Sequence, residues 1–216
     1  MRSPVIVLCT PVYDSFTPEY VLSVLSFKDW CMSNGISLIA SFAKDPIVGF
    51  ARSKCLGASS IGGKDQKPWR GQMKYDWILW VDSDIEFTPE HVLTLIRARK
   101  DVVSGLYRMN SDEEVWCAGY IDVDHFAEHG YMPRLKGEVS GLQKVDWCGM
   151  GFMLIRRGVF ERLSYPWFIQ QVVEGPGFRE ATSEDVGFCL KLRDAGIDIW
   201  VHGGVVVGHV KPRLLT

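Results

Sequence analysis

Trp77-Ile78-Leu79-Trp80-Val81-Asp82-Ser83-Asp84 decides the reading of this chain: five apolar residues in a row, two of them tryptophans, end at two carboxylates one residue apart. A continuous apolar run of this length suits a strand covered on both faces, the kind found in parallel, helix-flanked sheets. Asp82 and Asp84 stand beyond its end, where water or a cation has to appear. In open α/β sheets ligands bind outside the carboxyl ends of the strands. An acidic pair there can hold a hard divalent cation, which in turn can hold a diphosphate. Taken alone, Asp-x-Asp is a weak motif, because acidic residues at a strand end also simply shape the following turn.

Outward from this stretch, strand-like and helix-like segments alternate, which favours an α/β fold. Val5 to Thr10 reads as the first strand. Thr17-Pro18 then supply an N-cap and a first-turn proline for a helix ending near Asn34-Gly35. Ile36 to Phe42 reads as a strand and Val48 to Ser60 as a helix. The polar, glycine-bearing loop over 62–76 is either a closing flap or ordinary surface. Thr88-Pro89-Glu90 opens a helix with Val92, Leu93, Leu95 and Ile96 on one apolar face, and Asp101 to Tyr107 is again strand. From Asn110 to Gly141 the pattern breaks into short polar segments, a candidate substrate-facing insertion. Val145 to Ile155 returns to strand character, Glu184 to Ala195 is a helix closed by Gly196, and Ile197–Val201 and Val205–Val207 are short strands. The expectation is one α/β domain over 1–216, with a mixed, mostly parallel sheet flanked by helices.

Composition narrows the class. With 216 residues and 47% hydrophobic content the chain builds one sizeable core. Its 24 Lys and Arg against 26 Asp and Glu give a net charge of −2, so no general attraction for nucleic acid or an anionic membrane is expected. Six cysteines without a Cys-x-x-Cys pair point to reduced thiols in an intracellular protein rather than a zinc ribbon. No stretch approaches the ~20 apolar residues of a membrane helix. The expectation is a soluble, cytoplasmic protein (host cytoplasm if viral), or one domain of a larger one.

Three further segments complete a pattern: Pro11-Val12-Tyr13-Asp14 after the first strand, Ala51-Arg52-Ser53 in the second helix, and Ser183-Glu184-Asp185 opening the late helix. With Asp82-Ser83-Asp84, this order resembles the nucleotide-sugar glycosyltransferases of the GT-A fold over nearly the whole chain. It also looks like the small glycosyltransferase domain encoded by chloroviruses. Asp14 and Ser53 depart from the family, which carries Asn at both places.

The resemblance implies a Rossmann-like GT-A domain whose nucleotide-binding half covers about 1–108 and whose acceptor and sugar half covers about 109–216, a UDP-sugar donor of the UDP-glucose type, a carbohydrate or glycoprotein acceptor, and Mn²⁺ as cofactor with Mg²⁺ as the alternative. It implies that Thr10, Pro11 and Tyr13 cradle the nucleoside, that Asp45 faces the pyrimidine, and that Arg52 pairs with the diphosphate or nucleoside. Asp82, with Ser83, would reach the ribose, or the metal through water, and Asp84 would ligate the metal directly. His209 would be a further ligand, with His202 as its competitor, and Lys211 and Arg213 would close over the diphosphate. An inverting enzyme would use Asp185 of the Glu184-Asp185 pair as general base, whereas in a retaining one the pair orients hydroxyls.

Each of these readings has a plainer counterpart. An imidazole beside carboxylates shifts preference towards Mn²⁺, but a lone His after an apolar run is also an ordinary boundary residue. Acidic residues at a helix start offset the macrodipole without any catalysis. Gly149 and Gly151 admit either a ligand or a bulge, and Trp147 either stacks on a sugar or joins the core. Two other functions share parts of the pattern. A haloacid-dehalogenase-like, Mg²⁺-dependent phosphatase also carries Asp-x-Asp at a strand end, though normally after the first strand. A non-catalytic module binding a nucleotide sugar or carbohydrate could have the same fold.

Overall fold

The computed structural model describes residues 2–109 and 115–211. Strand β1 (Val5–Val12) leads to α1 (Pro18–Ser33), β2 (Ser37–Lys44) and α2 (Val48–Cys55). Next come β3 (Trp77–Val81), a two-residue β4 (Ile85–Glu86), α3 (Pro89–Arg97) and β5 (Val102–Leu106). The middle of the chain forms β6 (Val115–Gly119), α4 (Val123–His129), β7 (Arg134–Lys136), β8 (Leu142–Val145), β9 (Trp147–Cys148) and β10 (Phe152–Arg156). The hairpin β11 (Val172–Gly175) and β12 (Phe178–Ala181) precedes α5 (Glu184–Asp194), β13 (Ile199–Val206) and β14 (Gly208–His209).

Seven strands form the central sheet in the order β2-β1-β3-β10-β5-β13-β8. β1, β2, β3, β5 and β13 run parallel, while β10 and β8 run against them. This is the mixed, mostly parallel α/β sheet expected. The alternation of side chains along each strand fills both of its faces. Val7, Cys9, Ile78 and Trp80 join the core that includes Phe160, Trp167, Phe168 and Phe188. Ile6, Leu8, Leu79 and Val81 join the one with Tyr20, Phe27, Val92 and Leu95.

Local signals set the element ends. Thr17 Oγ1 accepts the Tyr20 N–H at 3.3 Å and Pro18 occupies the first turn of α1. Gly196, at φ 67°, releases the chain from α5 into β13. Three boundaries differ from the sequence reading. Helix α2 stops at Cys55, because the chain turns through Gly57 (φ 75°) and Gln66 pins the loop by bonding both the N–H and the C=O of Ser59 at 3.0 Å. The Val145–Ile155 strand breaks into β8, β9 and β10, whereas the two short strands expected over 197–207 are one strand, Ile199–Val206, with a register shift between Val201 and Val206.

The loop over 62–76 is no flap over the acidic pair. Trp69 N–H donates to Leu56 C=O at 2.7 Å, and both Lys67 and Tyr75 bond Glu161, which follows β10. Antiparallel pairing sets the end of β10 beside the start of β3, so these bonds hold the loop at the far end of the sheet. The irregular stretch expected from Asn110 onward contains β6, α4 and β7; its residues 110–114 lie outside the described residues.

Candidate functional site

Asp82 and Asp84 leave the C-terminal end of β3 in a tight turn, with Asp82 N–H donating to Gly151 C=O at 3.0 Å and Ile85 N–H to Asp82 C=O at 3.1 Å. The two carboxylates go different ways. Asp82 meets Arg52 of α2, with Nη2 3.0 Å from Oδ1. Arg52 is only 3% exposed, and its Nε reaches Glu184 Oε1, on the first residue of α5, at 3.5 Å. Arg52 therefore does not lie open to a ligand, as its expected role required. It bridges two carboxylates from different parts of the chain, and its Nη1 is buried with no hydrogen-bond partner among the described residues.

This bridge is uneven. Burial works against the guanidinium charge, but Asp82, Glu184 and Asp185 outweigh it and raise the Arg52 pKa. Burial also raises the Glu184 pKa, and Arg52 offsets this only in part because Asp185 adds a like charge. Arg52 gains from several anions, while Glu184 has one long contact to it, so the guanidinium stays charged.

Asp84 turns to the end of the chain. The short β4–β14 pairing places His209 opposite Ile85, and Val210 N–H donates to Asp84 C=O at 2.8 Å. His209 Nε2 thereby comes within 3.3 Å of Asp84 Oδ2, and Lys211 Nζ donates to the same oxygen at 2.9 Å. His209 Nδ1 lies 2.9 Å from Arg108 C=O. A carbonyl can only accept, so Nδ1 donates to it; Nε2 donates to Asp84 when the ring carries both protons and offers its lone pair to a metal when the ring is neutral. Burial alone raises the Asp84 pKa, but hydrogen bonds and charge from His209 and Lys211 overcome it and bring it to about 2. His202, the competing candidate, instead accepts Gly204 N–H through Nδ1 at 3.1 Å.

Beside the pair opens a cleft lined by Pro11, Tyr13, Asp45, Ser83 and both aspartates, over the ends of β1, β2 and β3. Its volume of about 180 Å³ is below the range that encloses a whole ligand and suits one part of a larger one. Tyr13 is 74% exposed there. Asp45 is held by Lys54 at 2.6 Å and by the Ile47 N–H at 2.9 Å, which keep its carboxylate below the ordinary range. Thr10 is no part of the lining: it is fully buried and shares a 2.6 Å hydrogen bond with the Tyr20 hydroxyl.

The sugar-side candidates turn out differently. Trp147 is buried, its indole N–H donating to Tyr120 C=O at 3.1 Å, so it belongs to the core. Gly149 and Gly151 do permit a close approach, but by Tyr107: a Cβ at Gly149 would lie 2.1 Å from its hydroxyl and one at Gly151 2.8 Å from its ring. The Tyr107 hydroxyl accepts Gly151 N–H at 3.1 Å and its ring stands edge-on to His209, with centroids 5.1 Å apart. Tyr107 was overlooked in the sequence; the Gly-x-Gly pair was the available sign that a bulky neighbour had to fit. Asp185 Oδ1 accepts bonds from Ser183 Oγ and from Val186 N–H. Lys211 sits on Asp84, while Arg213 lies outside the described residues.

All six cysteines are free and buried. Among the described residues, no helix is long and apolar enough to cross a membrane, and no group of three or more His, Cys, Asp or Glu gathers as a ready metal cage.

No family model matches the chain, and no curated protein matches its sequence. Among solved structures, A197 from STIV is similar at 17% identity and a TM-score of 0.61, covering 98% of this chain and 87% of its own. A Drosophila β-1,4-galactosyltransferase 7 mutant, in complex with manganese, UDP-Gal and xylobiose, is similar at 15% identity and a TM-score of 0.45, covering 97% and 72%. A glycosyltransferase involved in the glycosylation of the major capsid of PBCV-1 gives 13% identity and a TM-score of 0.36, covering 73% and 63%. The expected closeness to a chlorovirus enzyme is thus only a loose, partial likeness. The chain has an α/β fold with a mixed seven-stranded sheet, shared across nearly its whole length with A197, and at these identities the likeness is one of fold.

Proposed function

We propose that this chain is a metal-dependent glycosyltransferase that moves a hexose from a UDP-sugar of the UDP-glucose type to a carbohydrate or glycoprotein acceptor. One observation carries the reading: Asp84 and His209, distant in sequence, meet at 3.3 Å on the rim of the cleft that holds Pro11, Tyr13, Asp45 and Ser83.

The donor set suits a hard divalent cation that shares its shell with phosphate oxygens, since such ions commonly take one or two protein ligands and leave the rest to water and substrate. Asp84 Oδ2 and His209 Nε2 would hold it, and the imidazole favours Mn²⁺ over Mg²⁺. When bound, the metal would supply Lewis-acid neutralisation of the departing diphosphate. Tyr13 offers an exposed ring against the base, with Asp45 beside it. Asp82, held by Arg52, lines the same cleft and would reach the ribose. Asp185 is the candidate base for the acceptor hydroxyl; both of its bonds fall on Oδ1, which leaves Oδ2 to take the proton. A phosphatase of the Asp-x-Asp type would need Asp82 as a free nucleophile, and its pairing with Arg52 speaks against that.

A thermal-shift panel of UDP, GDP, CMP and ADP, each with Mn²⁺, Mg²⁺ or chelator, tests the reading. Ligand-linked stabilisation by UDP in Mn²⁺, absent in chelator, is the expected pattern. Equal shifts with all four nucleotides, or a UDP shift that survives chelator, would end it.

A further inference from the structure

A second concavity of about 470 Å³ opens at the other side of the Asp84–His209 pair, within the range of small-ligand sites. The nucleotide-side cleft lies over β1, β2 and β3, whereas this groove lies over the ends of β5, β13 and β8. Its walls are built. The loop over 137–141 is bent by Gly137 and Gly141, at φ 67° and 61°, and tied at both ends: Trp116 Nε1 donates to Gly137 C=O at 2.7 Å and Gly203 N–H to Gly141 C=O at 2.8 Å. Gly203 has no alternative, since a Cβ there would lie 1.7 Å from Val139 C=O. On the opposite wall the Arg108 guanidinium lies 5.7 Å over the Trp116 ring. Arg108 C=O is also the partner of His209 Nδ1, so the groove is one hydrogen bond away from the candidate metal ligand.

The lining selects a class of ligand. Among the described lining residues, one Arg and one Glu balance in charge and give a phosphate no cluster of cations. Trp116 is 7% exposed, so its ring offers no open slot for a base. What remains is the half-exposed Val206, the Ser140 hydroxyl, the Glu138 carboxylate and glycine backbone. That mixture of donors and acceptors beside a small apolar surface matches a neutral, hydroxyl-rich molecule.

We propose that this groove is a saccharide subsite and that its occupant is the acceptor glycan, a role that rests on the transferase reading above. The acceptor would then approach past Arg108 and His209, from the side of the metal pair away from the nucleotide.

The test uses the full chain, p-nitrophenyl hexopyranosides in gluco, galacto and manno forms of both anomers, and ligand-observed NMR titration, with Mn²⁺·UDP calorimetry in parallel. Val206→Trp fills the groove without touching Asp84, His209 or the nucleotide-side cleft. It is expected to weaken glycoside binding by about tenfold or more while leaving Mn²⁺·UDP affinity unchanged. Glu138→Ala, at an exposed loop position, should give a smaller loss in the same direction. If Val206→Trp and Glu138→Ala bind the glycosides like the parent, or if the parent binds none of them, the proposal is overturned, and intact Mn²⁺·UDP binding would still leave the transferase reading standing. If the parent binds glycosides through the groove but fails to bind Mn²⁺·UDP, the subsite stands and the transferase reading falls.

Discussion

On the Asp82 side of the strand end a buried guanidinium joins two carboxylates, whereas on the Asp84 side a largely buried imidazole and a half-exposed ammonium share one oxygen. Arg52 is 3% exposed and Lys211 54% exposed. Two acidic residues one position apart thus meet different physics. Both carboxylates are 30% exposed at the cleft, so the difference lies in their cations: the buried guanidinium cannot leave for water, and the fold holds it against Asp82 permanently. At the rim, a protein cation is exchangeable, because water or a bound ion can take over its partner. The contrast separates the two halves of Asp-x-Asp: Asp82 is fixed by the fold, and Asp84 is left adjustable.

Breaking the inner cluster should have the largest effect. Arg52→Met leaves Asp82 and Glu184 facing each other without their cation, and the expected cost is about 3–5 kcal/mol, read by urea unfolding. Arg52→Lys should recover part of it, since one ammonium cannot bond both carboxylates in the same fork. A loss under about 1 kcal/mol for Arg52→Met would erase the distinction between the two sides.

Asp84→Asn should leave the fold intact but weaken calorimetric Mn²⁺·UDP binding by at least about 100-fold, beyond what residues that merely support a metal ligand usually show. The metal-free protein gives an independent reading. Asp84 has a folded pKa of about 2 against an ordinary 3.8. Its ionised form therefore contributes stability that is complete above about pH 4 and disappears as the pH falls to about 2. Stability curves of parent and Asp84→Asn should keep a steady gap from about pH 4 to pH 6 and converge below it. Parallel curves down to pH 2 would place Asp84 outside the interaction with His209 and Lys211.

The same contrast explains which parts could be read from sequence. The buried strand Trp77–Val81, the Thr17-Pro18 start of α1 and the Gly196 end of α5 are local signals, and each appears where expected. The meeting of Asp84 with His209 was available through the family resemblance alone; its physical cause is the β4–β14 pairing, which no local pattern announces. Arg52 reads as open to ligand because helix periodicity does not reveal that its helix packs against the start of α5 and the Phe168 backbone: a Cβ at Gly49 would lie 3.6 Å from Glu184 Cβ and 2.7 Å from Phe168 C=O. Gly149 and Gly151 read in the sequence as room for a ligand or as a bulge, and a side chain of the protein itself takes the space. Their partner, Tyr107, comes from the end of β5, and only the sheet order brings it there.

The smallest effect expected belongs to Lys211, and its direction is the sharpest test of exchangeability. An exposed ion pair contributes about 0–1 kcal/mol, so removing its competition should tighten binding of Mn²⁺ alone by no more than about fivefold in Lys211→Met, followed by manganese EPR titration. If the displaced ammonium then turns to the diphosphate, the same variant should bind UDP more weakly once Mn²⁺ is saturating. Tighter metal with weaker nucleotide means that Lys211 holds the cation's place and yields it. Weakening of both would mean that Lys211 fixes the Asp84 carboxylate for the metal, and the rim would then resemble the interior after all. The opposite signs expected here follow from one fact: Asp84 Oδ2 already has a partner at 2.9 Å that solvent allows it to lose.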